Sequence, residues 1–315
     1  MAEWELADLN RAVTTDIAAC VAKAEARYHG TLDDIVRRLL TEGERRVILL
    51  AGPSGSGKTT TANMLADRFS ALGHPAEVIS LDHFYRDASD PAYPRNPDGT
   101  PDLECVDSLQ VEKIHDTIDS IVAGVTCTIP HYDFTCARSI PDGETVNVPV
   151  GGFAIIEGLH ALNPRLIEGL PKERIFRLFI SVSSNINENG VRIISGRKLR
   201  FLRRLTRDHL YRGASPARTL GMWRGVIAGE DKYLYPFRHT ADFAFDTFHE
   251  FELGLMKQFT QKTLEGAEQE VLDDPIVHAA LESLQKAAPV DPEAVPATSL
   301  MREFIPGGIY EHIYT

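Results

Sequence analysis

The run Gly52-Pro53-Ser54-Gly55-Ser56-Gly57-Lys58-Thr59 fills every fixed position of the pattern G-x-x-x-x-G-K-[ST]. It lies between the apolar segment "RRVILLA" and a helix-forming one, the context a phosphate-binding loop requires. Small side chains let the backbone curl until successive N–H groups point inward, and the helix that follows adds roughly half a positive charge at its first turn. The guest such a loop invites is a polyphosphate, with Lys58 neutralising the β and γ groups and the Thr59 hydroxyl ligating Mg²⁺. Gly52, Ser54, Gly55, Ser56, Gly57, Lys58, Thr59 and Thr60 are the expected ATP-binding residues.

Further along stand carboxylates and arginines that a phosphate site could use. Asp82, in "VISLDHFYRD", falls at the C-terminal tip of a predicted strand, where open α/β sheets bind ligands. There it can accept a proton from an attacking hydroxyl or help to hold Mg²⁺. Glu157 ends the strand "GGFAIIEG", and a carboxylate buried after four apolar residues asks for a cation. The expected metal ligands are therefore Thr59, Glu157 and Asp82. His160 and Asn163, at the same strand end, are placed at the acceptor pocket. Arg200, Arg203, Arg204 and Arg207 recur at three- and four-residue spacing, so a helix would align much of the run on one face. No N-K-x-D or L-S-G-G-Q segment occurs, which argues against a guanine-nucleotide switch or a transporter ATPase.

These residues need a scaffold, and the hydrophobic pattern supplies one. Short apolar runs at 46–51, 77–82, 153–157, 176–182 and 241–246 alternate with helical patterns at 58–72 and 108–123. This predicts an α/β fold with a mainly parallel sheet flanked by helices. Residues 5–43 read as helical, with Thr31 and Asp34 as a capping-box-like start of a second helix that ends near Gly43. We therefore expect an N-terminal helical appendage (1–45), a main domain (46–250) and a C-terminal helix, linker and tail (251–315). The segment "RDASDPAYPRNPDGTPDLECV" is too long for an ordinary connection and is expected to be a functional loop. The tail "LMREFIPGGIYEHIYT" is expected to dock on its own chain or on a neighbouring subunit of a homo-oligomer.

Bulk properties narrow the partners. A formal net charge of -12 over 315 residues repels polyanions, so nucleic acid is not an expected partner and any phosphate site must be local. Cys20, Cys105, Cys127 and Cys136 form no C-x-x-C pair and read as free thiols. The acidic start "MAEWELADLN" is unlike a leader and no apolar run is long enough to span a bilayer, so a cytoplasmic protein without membrane contact is expected.

The segments "GPSGSGKTT", "ISLDHFYRD", "HYDFTCARS", "IIEGLHALNP" and "RFLRRLTRDHLYRG" occur in this order over about residues 46–250. Together they resemble the uridine kinase and phosphoribulokinase family of P-loop kinases. "EGLHALNP", "GEDKYLYPF" and the "REFIP"-like tail are especially similar to bacterial nucleoside kinases that often carry a threonyl-tRNA synthetase-like N-terminal domain; the first 45 residues here are too helical for one. The resemblance implies a P-loop NTPase fold with a helical lid at about 197–215. It makes Asp82 the catalytic base, gives Mg²⁺ to Thr59 and Glu157, and places Tyr85, Asp102 and Tyr132 at the acceptor. It sets Arg203 and Arg207, with Lys58, against the charge of the transferring group, and Arg200 beside the substrate.

One segment departs from the family. Uridine kinases follow Tyr-Asp-Phe with a histidine that reads the pyrimidine, but "YDFTCARS" has Ala137 near that place and Arg138 beside it. The expectation is an ATP-dependent kinase whose small-molecule hydroxyl acceptor is a nucleoside. A sugar or sugar phosphate is the alternative, with Arg138 holding its anionic group. A rival of another class is an ATP-binding sensor that transfers nothing.

Overall fold

The structure is a computed structural model that describes residues 2–96, 99–134 and 136–314. The chain opens with β1 (Glu3–Glu5), α1 (Leu6–Thr15) and α2 (Ile17–Glu42), then enters β2 (Val47–Ala51) and α3 (Lys58–Ala71). β3 (Ala76–Ser80) leads into a 3-10 turn at Leu81–Phe84, and after a long loop come α4 (Val111–Ala123) and the strands β4 (Cys127–Asp133) and β5 (Arg138–Val146). β6 (Phe153–Gly158), the short α5 (Pro164–Ile167), β7 (Ile175–Ser181), β8 (Asn185–Glu188) and β9 (Val191–Ile194) follow. The remainder is α6 (Gly196–Arg212), α7 (Pro216–Tyr233), β10 (Phe243–Asp246), α8 (Glu252–Leu264), α9 (Gln269–Leu272) and α10 (Pro275–Lys286).

The five expected strands form one sheet in the order β10-β7-β2-β6-β3, and every neighbouring pair is parallel. Its middle strands read as continuous apolar runs because both faces are covered. α4 packs with Leu49, Ile79, Ile156 and Phe179 on one face. α2 and α3 pack with Ile48, Leu50, Ile155 and Leu178 on the other. Parallel strands joined through helices bring the C-terminal strand ends of β2, β3 and β6 to one edge, and Gly52, Leu81 and Leu159 begin there.

The helical N-terminus differs in detail from its expected form. The break falls at Asp16, whose side chain caps α2 by accepting from the Ala19 N–H at 2.9 Å, while Thr31 lies inside α2 and donates to the Arg27 carbonyl. Gly43 closes α2 in the left-handed conformation at φ 73°, as its position suggested. α2 is built into the main core: Leu32, Ile35, Val36 and Leu39 lie in the sheet cluster, and the Tyr28 hydroxyl is 2.7 Å from Thr61 Oγ1 of α3. β1 pairs in parallel with β8, which pairs antiparallel with β9, so the N-terminus adds a strand to a small second sheet.

The tail docks on its own chain. Leu300, Met301, Phe304 and Ile305 are fully buried, and Tyr211 on α6 donates to the Ile305 carbonyl at 3.1 Å. Among the described residues, no helix is long and apolar enough to cross a membrane.

Candidate active site

β2 ends at Ala51 and the loop folds back over the start of α3. Gly55 and Gly57 take φ of 73° and 88°, values that side chains with a Cβ rarely adopt. At Gly57 the space is also closed, since a Cβ would lie 2.4 Å from Leu300 Cδ1 of the tail. Within 52–59 only Ser54, Lys58 and Thr59 keep partial exposure, so the loop offers these side chains to the cleft and buries the rest.

The expected Mg²⁺ ligands are brought together. Glu157 sits in β6 between Leu50 of β2 and Ser80 of β3, and Thr59 Oγ1 donates to Glu157 Oε1 at 3.2 Å. Burial pushes the Glu157 carboxyl above its usual range, and the Lys58 ammonium opposes that push. A buried carboxylate beside a hydroxyl, short of positive charge, is a donor set that fits a hard divalent cation. Asp82 follows β3 in the 3-10 turn, exposed to the cleft, and its charge adds to the upward shift of Glu157.

The arginine run does not form one face over the loop. Arg200 and Arg203 are wholly buried and hold the loop from behind. Arg200 donates to Glu230 Oε1 and Oε2 at 2.8 Å each and to the Ser54 carbonyl at 2.8 Å, while Glu230 accepts from the Ser54 N–H at 2.9 Å. Arg203 pairs with Glu252 and donates to the Thr247 carbonyl at 2.9 Å and, more weakly, to the Gly55 carbonyl at 3.4 Å. The expected roles for Arg200 at the substrate and Arg203 at the transferring group are thus corrected: both guanidinium groups are enclosed and already neutralised.

The cations nearer the cleft are others. Arg204 donates to the Ser54 hydroxyl at 2.8 Å and pairs with Asp208 at 3.2 Å. Arg207 bridges Asp208 at 3.0 Å and Glu303 of the tail at 3.3 Å. Arg212, half-exposed at the end of α6, feels the field of Asp82, and the positive charge of Arg207 holds its pKa down at about 10. Arg204 was named in the sequence only as a member of the run, and Arg212 was not singled out at all.

Thr60 also has a partner that its motif position did not announce. Its hydroxyl donates to Glu303 Oε2 at 2.5 Å and meets the Tyr314 hydroxyl, so the tail reaches the first turn of α3. Tyr310 bonds Asp67 on the same helix, and Tyr211 packs against Tyr314 with ring centroids 5.8 Å apart.

Tyr85 and Tyr132, both expected at the acceptor, come together. Their ring centroids lie 5.3 Å apart, and Phe134 completes the cluster at 5.8 Å from Tyr85 and 4.8 Å from Tyr132. Phe134 is 60% exposed, an uncovered aromatic edge beside the turn that carries Asp82. The Tyr85 hydroxyl donates to the Leu103 carbonyl at 2.7 Å, which ties the turn of Asp82 to the loop carrying Asp102. Asp102 and Glu104 line a cleft of about 370 Å³ closed on its other side by α7. Glu104 is a residue the sequence did not single out: burial lifts its carboxyl to about 7, Arg204 opposes, and Glu230, Asp82 and Asp102 add to the rise.

Arg138 is set apart from this group, whereas His160 lies behind the Asp102–Glu104 cleft, against Glu104 and Tyr233. Arg138 is exposed at the start of β5 and lines a different cleft, of about 680 Å³, between Asp87–Ser89 and the 136–141 segment. Ala137 precedes it in the left-handed region at φ 55°. His160 is buried with its ring 5.7 Å from Tyr233, and burial drops its imidazole to about 4, so it is a neutral wall group. Asn163 caps α5, accepting from the Arg165 N–H at 3.1 Å, a structural task.

A parallel sheet with a phosphate loop at its first strand end and carboxylates at the neighbouring ends defines a P-loop kinase. Residues 47–253 match the Phosphoribulokinase / Uridine kinase family, and the chain belongs to that family. The chain is similar to the uridine kinase of Staphylococcus aureus (strain JH9), at 25% identity over 199 residues, covering 62% of this chain and 84% of the relative. Among solved structures it is similar to a "putative fructose transport system kinase" from Silicibacter sp. TM1040, with 22% identity, a TM-score of 0.51, and coverage of 68% of this chain and 98% of that one. It is also similar to a "possible uridine kinase" from Bacillus stearothermophilus, at 18% identity and a TM-score of 0.48 over 70% of this chain and all of that one.

Proposed function

We propose that the chain transfers the γ-phosphoryl of Mg·ATP to a hydroxyl of a nucleoside. The observation that carries this reading is the exposed Asp82 at the end of β3, one strand from buried Glu157 and its Thr59 partner. The loop's N–H groups and Lys58 hold the triphosphate. Thr59 and Glu157, with Asp82 alongside, would hold Mg²⁺, which supplies charge neutralisation on the β and γ oxygens. Asp82 takes the acceptor's proton as the acceptor oxygen bonds to the γ phosphorus; the bond from that phosphorus to the β-bridging oxygen breaks, and ADP leaves. Arg204 and Arg212 are the cations we assign to the developing charge, with Arg207 supporting them through Asp208.

The aromatic cluster of Tyr85, Tyr132 and Phe134 supports a planar acceptor, and Asp102 with Glu104 offers carboxylates for sugar hydroxyls. The relative's name, uridine kinase, points the same way. A second reading, a sugar or sugar phosphate acceptor, draws on Ala137 and on exposed Arg138. The test is ADP release with Mg·ATP and a panel of nucleosides, sugars, sugar phosphates and polyols. A pyrimidine or purine nucleoside should stimulate release most. Stimulation by a sugar phosphate alone establishes the second reading, and tight ATP binding with no stimulation by any acceptor means that the chain is a sensor.

A further inference from the structure

Beside the catalytic turn, three side chains from three different elements converge: His83 of the 3-10 turn, His131 of β4 and Glu144 of β5. His131 Nδ1 lies 3.2 Å and His83 Nε2 3.9 Å from the same oxygen, Glu144 Oε1, and the imidazole centroids are 4.9 Å apart. One ligand atom from each residue falls within 4.8 Å of the other two. We propose that His83, His131 and Glu144 bind a zinc-class divalent cation that pins the acceptor hairpin to the turn carrying Asp82.

The donor chemistry selects the ion. Two imidazole nitrogens and a carboxylate suit Zn²⁺ and its neighbours, whereas Mg²⁺ and Ca²⁺ prefer oxygen alone. In a tetrahedral zinc site, ligand atoms bonded at about 2.0–2.2 Å stand about 3.4 Å from one another, so small side-chain rotations close this triangle. Among the described residues, the ion-pair partners of Glu144 are these two histidines, and no lysine or arginine satisfies it instead. Neutral imidazoles and one carboxylate leave a net charge of -1 that a dication over-compensates, leaving room for an anionic or water ligand at the open position.

The hairpin is shaped to make the triangle. The β4–β5 register slips between Ile129 and His131, so Glu144 pairs in the ladder with Ile129 and its side chain still reaches His131. Gly143 permits this approach: a Cβ there would lie 2.3 Å from His131 Cβ and 2.7 Å from its backbone nitrogen. All three side chains keep partial exposure, 27%, 42% and 47%, which leaves an entry path. A metal here would fix Tyr132 and Phe134, on and just after β4, relative to Asp82, the neighbour of His83.

The site is separable from the Mg²⁺ site and is tested directly on the metal-stripped full chain held in saturating Mg²⁺ and titrated with Co²⁺. One equivalent should bind with the visible absorption of four- or five-coordinate cobalt, and Zn²⁺ should bleach it. His131→Ala and Glu144→Gln should each weaken binding by more than about 100-fold, beyond the 10- to 100-fold typical of an outer-shell loss. Glu144 is on the surface, so its variant tests the site without threatening the fold, which circular dichroism checks. Glu157→Gln should keep the cobalt bands. Absence of bands, or bands unchanged in both variants and dominated by cysteine-to-cobalt charge transfer, overturns the proposal whatever the kinase activity proves to be.

Discussion

Behind the phosphate loop, Arg200 and Arg203 are fully buried and matched by Glu230 and Glu252; on the β4–β5 hairpin, Phe134 and Arg138 face solvent. The donor side is held from several directions at once, by α6, by α7 through Glu230, and by the tail through Leu300. A triphosphate presents the same charge and shape each time, so a rigid, pre-paid geometry suits it. The side we propose for the acceptor is a two-stranded hairpin whose outer strand is almost entirely exposed. Such a surface can adapt, and on our reading it completes itself only when the acceptor covers Phe134. On the proposed function, chemistry falls to one half of the cleft and selectivity to the other.

The largest effect should come from the residue where the halves meet. Asp82→Asn is expected to lower turnover by about 10²- to 10⁴-fold, the usual worth of a general base, with ATP affinity close to wild type by calorimetry. Turnover that stays within a few-fold would remove Asp82 as the base. The donor half predicts a stability effect. Arg203→Met strands Glu252 in the core, where burial already lifts its carboxyl, and should cost about 3–5 kcal/mol in urea unfolding. Replacing both partners, Arg203→Met with Glu252→Leu, should recover much of that loss. Arg138→Met, on the exposed half, should stay within about 0.5 kcal/mol of wild type. Equal losses for Arg203 and Arg138 would erase the contrast.

Glu104 lies between the halves and predicts a pH dependence. Burial lifts its folded carboxyl to about 7, above the usual 4.5, so the native state holds a proton that the unfolded state releases between those values. Stability from this group is therefore full below about pH 4.5 and declines as pH rises toward 7. Glu104→Gln should flatten that decline and raise the melting temperature at pH 8 more than at pH 5. A uniform shift across the range would mean that Glu104 is ionised in the folded chain throughout.

These contrasts also mark what the sequence reveals. The places of the phosphate loop, Asp82 and Glu157 in the fold were legible because each belongs to a contiguous segment whose neighbours dictate its position, and the five strands were legible as apolar runs between turn signals. The fate of the arginines was not. Helical spacing places them on a helix but says nothing of what packs against it, and their partners Glu230 and Glu252 come from 30 and 49 residues away. The hairpin was missed because β5 is polar on both faces and shows no alternation to read. The break at Asp16 was misplaced to Thr31 because both residues cap well, and only the fold of α1 onto the core decides between them. His83, His131 and Glu144 carry no motif, being 48 and 13 residues apart, and only the hairpin's bulge assembles them.

The smallest effect tests the open half itself. Phe134 is 60% exposed and makes ring contacts with Tyr85 and Tyr132, so Phe134→Ala leaves the core intact and should barely change the melting temperature. If the ring is the lid of a planar acceptor's site, its loss removes one aromatic contact, worth about 0.5–1.5 kcal/mol, and raises the acceptor KM by about 2- to 13-fold with turnover and ATP KM unchanged. A fall in turnover instead would mean that the ring orients the acceptor hydroxyl toward Asp82. An acceptor KM that does not move would place the acceptor elsewhere, in the cleft beside Asp102 or the one beside Arg138, and the same measurement on Asp102→Asn and Arg138→Met then tells which.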